Sequence, residues 1–419
     1  MRPWAALALG LVLLTFAWAA LHLPAFDRYQ IVDTPVYEDY GERMADGEVP
    51  YRDFEVEYPP ASLPLFWLPT LAPEEHYASA FELLMWGCAA AAVGFVALAL
   101  AGVGARPARL FAAAGFVGLA PLALGTVVLT RYDLWPAALT AAALAAFVRE
   151  QGRLAFAALA LAAAAKIYAL VLLPLVLVYA WRRWRPREAW TGLGVFVAVL
   201  ALVVGPFLVV APAGLWQSVS GQLGRPLQIE SLAAAVLLAA HRLGWYEPTV
   251  VSTHGSQNLA GGLPDALAVT QTVLQGLALV AVWALFARGR GGPERLLLAS
   301  AAAVVAFVAF GKVLSPQFLI WLVPLVPLVA GGSGLAASAV LAAALVTTHL
   351  WFPTRYWDVV ALEPAGWLVL VRDVLLVALL ALLVAALARG RRLPGERGQT
   401  PLRERRGSAT AFRSPARRC

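Results

Sequence analysis

Twelve carboxylates fall between residues 27 and 75 (Asp27, Asp33, Glu38, Asp39, Glu42, Asp46, Glu48, Asp53, Glu55, Glu57, Glu74 and Glu75), nearly half of the chain's 25 acidic residues, against only Arg28, Arg43 and Arg52. A carboxylate within hydrogen-bond reach of a hydroxyl can take its proton as the oxygen attacks an electrophile. The cations that would answer such chemistry lie far off in sequence. Among 32 basic residues only Lys166 and Lys312 are lysines, and both stand at the ends of apolar segments, as do Arg131 in Arg131-Tyr132-Asp133 and Arg355 in Thr354-Arg355-Tyr356-Trp357-Asp358. An ionisable group costs roughly 2.5 to 3.5 kcal/mol at mid-span on insertion scales and less toward the interface, so a single one is explained by snorkelling. Four at one level point to an anionic ligand, although for Arg131 an internal partner such as Asp133 is an equal candidate.

The elements that must hold these residues are membrane helices. The chain is 61% hydrophobic and 14% charged, too little polar surface for a soluble globule of 419 residues. Apolar runs of roughly 17 to 25 residues recur from Trp4 to Ala388, each long enough to cross a hydrocarbon core as a helix, and they lack the alternation of a transmembrane barrel. The first run, Met1 to Ala20, reads as an uncleaved span rather than a signal peptide. Arginines fall on alternate connections (Arg106 and Arg109, Arg149 and Arg153, Arg182 to Arg187, Arg288 to Arg295, and the C-terminal tail), which predicts about twelve spans with both termini cytoplasmic. The pair across 154–181 is the hardest to place, because Lys166 splits its apolar stretch. The expected fold is an all-α polytopic membrane protein: residues 1–388 form the membrane domain, 25–76 its acidic external loop, and 389–419 a disordered basic tail against anionic lipid, with no nucleic-acid role. Cys88 and Cys419 are too far apart in sequence and setting to suggest a disulfide framework.

Within the loop, Thr34-Pro35 reads as a helix start, and Val36, Tyr37, Tyr40 and Met44 recur at helical spacing until Gly47 and Pro50. Tyr58-Pro59-Pro60 makes an extended corner before a second short helix over Leu63 to Leu68. Asp33 then stands at the first helix's N-terminus. Ser231 to Leu243 is too short to span and reads as interfacial or re-entrant.

These parts suit transfer of a sugar from a polyprenyl phosphate. Nucleotide sugars are made in the cytoplasm, so an enzyme working outside needs a donor already carried across the membrane. Asp33 is the candidate general base; Lys166, Lys312, Arg131 and Arg355 are candidates for the donor phosphate; Tyr37, Asp39, Asp53, Glu57, Tyr58 and Gln317 are candidate contacts for sugar and acceptor. A phosphodiester already has a good leaving group, so no metal or other cofactor is expected, although Asp33, Asp39, Asp53 and Glu57 have the hard oxygens that Mg²⁺ or Mn²⁺ accepts. The rival reading is a transporter or flippase for a lipid-linked or anionic substrate, which would place its charges near mid-membrane in repeated halves.

Three stretches of the loop, Asp33-Thr34-Pro35-Val36-Tyr37, Gly47-Glu48-Val49-Pro50-Tyr51-Arg52-Asp53-Phe54 and Glu57-Tyr58-Pro59-Pro60, resemble the first-loop signature of the bacterial GT-C glycosyltransferases of family 87, the polyprenyl-phosphate-mannose-dependent α-mannosyltransferase group. Tyr132-Asp133-Leu134-Trp135-Pro136, Lys166-Ile167-Tyr168 and Lys312-Val313-Leu314-Ser315-Pro316-Gln317 look like its helix-end motifs. The resemblance implies a GT-C bundle, a lipid-linked mannose or similar hexose donor, inversion at the anomeric carbon and catalysis by Asp33. Arg131-Tyr132 departs from the small polar pair expected before Asp133.

Overall fold

The computed structural model describes residues 2–26 and 31–389; the expected basic tail from 390 onward, and Asp27 and Arg28 of the acidic loop, lie outside them. The described chain is an all-α bundle. Helix α1 (Arg2–Ala20) leads into a loop holding α2 (Thr34–Ala45) and α3 (Leu63–Trp67). Then come α4 (Tyr77–Gly102), α5 (Pro107–Leu124), a single turn α6 (Val127–Thr130), α7 (Leu134–Val148) and α8 (Gly152–Ala165). After a 3₁₀ segment at 167–172 follow α9 (Leu173–Arg183), α10 (Pro186–Val210), α11 (Pro212–Leu223) and α12 (Leu232–Arg242). The last part holds α13 (Gly262–Arg288), α14 (Pro293–Ala309), a 3₁₀-rich pass at 316–328, α15 (Gly331–His349), the short α16 (Tyr356–Val360) and α17 (Gly366–Arg389).

Seven of these helices are long and apolar enough to cross a membrane: α1, α4, α5, α10, α13, α15 and α17. With α7, α8, the 167–183 segment, α14 and the 316–328 pass, the described residues run through the bundle twelve times. The protein is a multi-pass membrane protein. Lys166 is extended (φ −156°, ψ 127°) and divides the 154–181 stretch into two separate passes. The basic connections meet at one end, where Arg109 pairs with Glu294, Arg183 with Glu150, and Arg182 donates to the Gly289 carbonyl at 3.0 Å.

The inner passes are short. At 1.5 Å per residue, the 14 and 15 residues of α8 and α7 rise about 21 and 23 Å, whereas the 27 residues of α13 rise about 40 Å, against a hydrocarbon core of about 30 Å. Taken alone, α7 and α8 are therefore shorter than that core is thick.

The first loop packs on the bundle at Tyr132 through the rings of Tyr37, Tyr58 and Phe66. Tyr37, Tyr40 and Gly41 form the buried face of α2, while Val36 turns outward. Gly41 is required because a Cβ there would collide with the Phe66 carbonyl of α3. Three short strands were not foreseen in the sequence: β1 (Leu227–Gln228), β2 (Thr249–Thr253) and β3 (Ser256–Ala260), antiparallel in the order β1-β3-β2. The β-branched run Thr249-Val250-Val251-Ser252-Thr253 favours the extended state, and His254 and Gly255, both at positive φ, supply the two-residue turn that matches strand twist. Helix α12 packs on α17 with Ala234, Ala235, Leu237 and Leu238 buried.

Helices α1 and α5 approach through glycine, a Cβ on Gly118 standing 2.5 Å from the Gly10 carbonyl. Gly118→Val should force these helices apart, at a cost of about 1 to 3 kcal/mol. A fall of several degrees in the melting temperature of the purified protein is the expected result, checked by fluorescence-detected thermal unfolding.

Candidate active site

Asp33 is the N-cap of α2, but its side chain does not cap the helix. It turns instead toward the bundle, where its carboxylate pairs with Arg131 and accepts the Tyr37 hydroxyl at 3.3 Å. Tyr37 is held by stacking on Phe66 at a centroid distance of 4.5 Å, and by edge contacts with Tyr58 and Tyr132. The Asp33 side chain keeps 29% of its surface exposed, so it is both anchored and open to water.

Arg131 follows the α6 turn and is buried. Its Nη2 donates to the Ile31 carbonyl at 2.7 Å, so one side chain grips both sides of the segment that enters α2. Burial pulls the Arg131 guanidinium down to about 10, partly opposed by Asp133 and Glu230. It remains charged at neutral pH.

Two residues on, Asp133 is 1% exposed and accepts the Trp321 indole N–H at 2.7 Å, with the Lys166 ammonium at 3.2 Å. Lys166 lies 4.4 Å from the Tyr132 ring centroid, and the rings of Tyr58, Phe318 and Trp321 stand 5.6 to 5.8 Å away. At an effective dielectric of 20 the Lys166–Asp133 attraction is about 5 kcal/mol, comparable to what desolvating the pair costs, so the pair fixes position more than it stabilises. Trp321 is itself clamped between Tyr168 and Phe318, each ring at 4.2 Å. Arg131-Tyr132-Asp133 thus carries one half of each of two neighbouring ion pairs.

A further cluster adjoins Arg131, and sequence reasoning missed it. Glu230, in the turn between β1 and α12, is 2% exposed, and its carbonyl accepts Arg372 Nη2 at 2.6 Å. Arg372 also pairs with Asp373 at 2.6 Å and lies over the Trp351 ring. Arg225 ties the segment before β1 to the hairpin through Ser256 at 2.8 Å and the His254 carbonyl at 3.1 Å. Burial pushes the Glu230 carboxyl up to about 7, against the pull of Arg372, Arg131 and Arg225. The available signal was Arg372-Asp373 set inside the otherwise apolar run of α17.

The remaining candidates are spread around this centre. Tyr58 lies in the aromatic wall beside Lys166. Glu57 is exposed and faces the hairpin turn at Gly255. Asp53 is engaged within the loop, accepting Arg52 and the Val49 N–H, and the Arg52 guanidinium holds its carboxyl down to about 2. Asp39 projects outward on α2. Lys312 donates to the Leu223 carbonyl at the end of α11 at 2.8 Å, Gln317 is half-buried four residues before Trp321, and Arg355 is paired with Asp358 at 3.2 Å. The structure brings Asp33, Tyr37, Tyr58, Arg131 and Lys166 together and holds Asp39, Asp53 and Arg355 outside that group.

The family model described as glycosyltransferase family 87 matches residues 57–316. No curated protein matches the chain in sequence. Among solved structures, ArnT from Cupriavidus metallidurans bound to undecaprenyl phosphate is similar at 15% identity and a TM-score of 0.48, with 91% of this chain and 77% of that one covered. The same protein in the apo state gives 15% identity, the same coverage and a TM-score of 0.46.

Glu230 gives this region a pH signature. Its folded-state pKa of about 7 lies above the roughly 4.3 of an unfolded glutamate, so between these values the folded protein binds more protons and stability falls as pH rises. The melting temperature of the native protein should therefore drop from pH 5 to pH 8 relative to Glu230→Gln, in which this component is missing. Parallel pH profiles for the two proteins would show that Glu230 does not carry it. Trp321→Phe, which strips Asp133 of its N–H donor, should cost about 1 to 3 kcal/mol in the same unfolding assay.

Proposed function

Because the chain belongs to glycosyltransferase family 87, we propose that it moves a hexose, mannose on the family resemblance, from a polyprenyl-phosphate donor to a lipid or glycan acceptor on the outer face of the cell's inner membrane. The observation that carries this reading is the meeting of a water-accessible first-loop carboxylate with cations from distant parts of the chain: Asp33 against the buried Arg131, and the half-buried Lys166 close by. The sidedness rests on the arginine-rich connections, which gather at the opposite end and belong in the cytoplasm with both termini.

In the proposed reaction the Asp33 carboxylate takes the proton of an acceptor hydroxyl while that oxygen bonds to the anomeric carbon. The bond from this carbon to the phosphate oxygen breaks, its electron pair leaving with the phosphate, and the single displacement inverts the centre. Arg131 and Lys166 accommodate the charge on the departing group; Lys312 and Arg355 are secondary candidates for the phosphate, engaged in this structure with the Leu223 carbonyl and with Asp358. Tyr37 orients the base through its hydroxyl. Tyr58, Glu57 and Gln317 are the candidates nearest this centre for hydroxyl contacts, and Asp39 and Asp53, exposed on the loop, are candidates for the acceptor.

The test is turnover in membranes supplied with a polyprenyl-phospho-hexose and a pool of lipid acceptors. Asp33→Asn should lose about 10²- to 10⁴-fold in turnover, the usual worth of a general base. Retained turnover removes Asp33 from that role. Lys166→Ala should raise the apparent donor KM about tenfold or more, one lost charge-assisted contact being worth roughly 1.5 to 3 kcal/mol; an unchanged KM removes Lys166 from the phosphate site.

A further inference from the structure

We propose that Arg131 withholds Asp33 and then releases it, exchanging the Asp33 carboxylate for the donor's phosphate as the donor is seated. The inference rests on the reading of Asp33 as base and of the donor as a lipid-linked phosphosugar, and adds to it an order of events.

The argument starts from charge. Arg131 and Lys166 face Asp33 and Asp133, two cations against two anions, a balanced set. A phosphate brought to these cations adds negative charge, and one carboxylate must give up its partner. Their settings decide which. Asp133 is 1% exposed, fixed by the Trp321 N–H at 2.7 Å and by Lys166, so stripping its cation would leave a bare buried charge. Asp33 has 29% of its side chain in contact with solvent and retains Tyr37 as a donor, so losing Arg131 exposes it to water rather than to hydrocarbon. The exchange therefore falls on the Arg131–Asp33 pair.

Arg131 is built for such an exchange. Nη2 is anchored on the Ile31 carbonyl, Nη1 faces Asp33, and among the described residues Nε has no hydrogen-bond partner although it is buried. A guanidinium with one free N–H beside a replaceable carboxylate can offer two parallel donors to a phosphate. The grip on Ile31 joins the loop to this event. Ile31 is β-branched and sits at φ 52°, a strained conformation that needs an external hold, and the hold is the Arg131 hydrogen bond. A shift of the guanidinium toward phosphate moves the segment that carries Asp33 into α2.

The consequence is sequential. A carboxylate in a guanidinium pair is a poor proton acceptor, so Asp33 becomes a competent base only after the leaving group is in place. The acceptor is then activated last.

The experiment uses the full chain in lipid nanodiscs and polyprenyl monophosphate as the probe, with bound phosphate measured directly on the repurified discs. Infrared difference spectra taken on adding the probe should show a shift of one carboxylate stretching band that is lost in Asp33→Asn. In Arg131→Gln the band should already stand at its shifted position and stay there when the probe is added. Stoichiometric probe binding with no Asp33-dependent band overturns the exchange and leaves the donor reading intact; no probe binding at all overturns both. Inorganic phosphate at the same concentration should give no band, and an equal response to it would overturn the claim that the lipid-borne group drives the exchange. The native and Asp33→Asn proteins decide the matter even if Arg131→Gln does not fold.

Discussion

A buried guanidinium must be answered by negative charge or by carbonyl oxygens, and the answer Arg131 finds ties the molecule together. Its partners are Asp33 and the Ile31 carbonyl, a hundred residues away at the mouth of the first loop, with Glu230 from the middle of the chain close enough to be felt electrostatically. Without that side chain, α2 would lie on the bundle by its aromatic face alone. With it, the loop has a fixed register, and the acid at its helix start points inward. Lys166 and Asp133 repeat the arrangement one step deeper, where aromatic rings replace water around the ammonium.

Short central passes make this depth possible. The breaks at Arg131 and Lys166 end α6 and α8 in extended conformation, so both charged side chains leave the chain at helix ends rather than from a helix face. Leu173-Pro174 opens α9 and Ser315-Pro316 the 316–328 pass, each proline occupying a position where its missing N–H costs nothing. The longest irregular stretch, the 316–328 pass, is buried almost throughout, as a membrane interior requires.

Much of this was legible in the sequence. Apolar runs and alternating arginines gave the all-α, many-span bundle, and Thr34-Pro35 gave the start of α2 and the place of Asp33 before it. The strands were not legible, because a five-residue β-branched run in a polar loop carries little signal beside helices of twenty or more. Glu230, Arg372 and Asp373 were passed over for another reason: one acid in a polar-looking turn and an adjacent opposite pair in an apolar run read as sorting or snorkelling until the fold shows α12 and α17 side by side. Spacing within a helix says which face a residue takes, whereas the pairing of Lys312 with the end of α11 and of Arg355 with Asp358 depends on how loops from separate hairpins fold back.

The burial of the charged centre has an electrical consequence. Apolar helices surround it, and Arg131, Asp133 and Glu230 each keep less than a twentieth of their surface in contact with solvent. Dissolved ions shorten the reach of a charge to about 8 Å in ordinary cell fluid, but only where they can gather around it. Here they cannot gather around the buried charges. The attraction between Lys166 and Asp133 is consequently blunted less by added salt than that of the exposed Arg52–Asp53 pair.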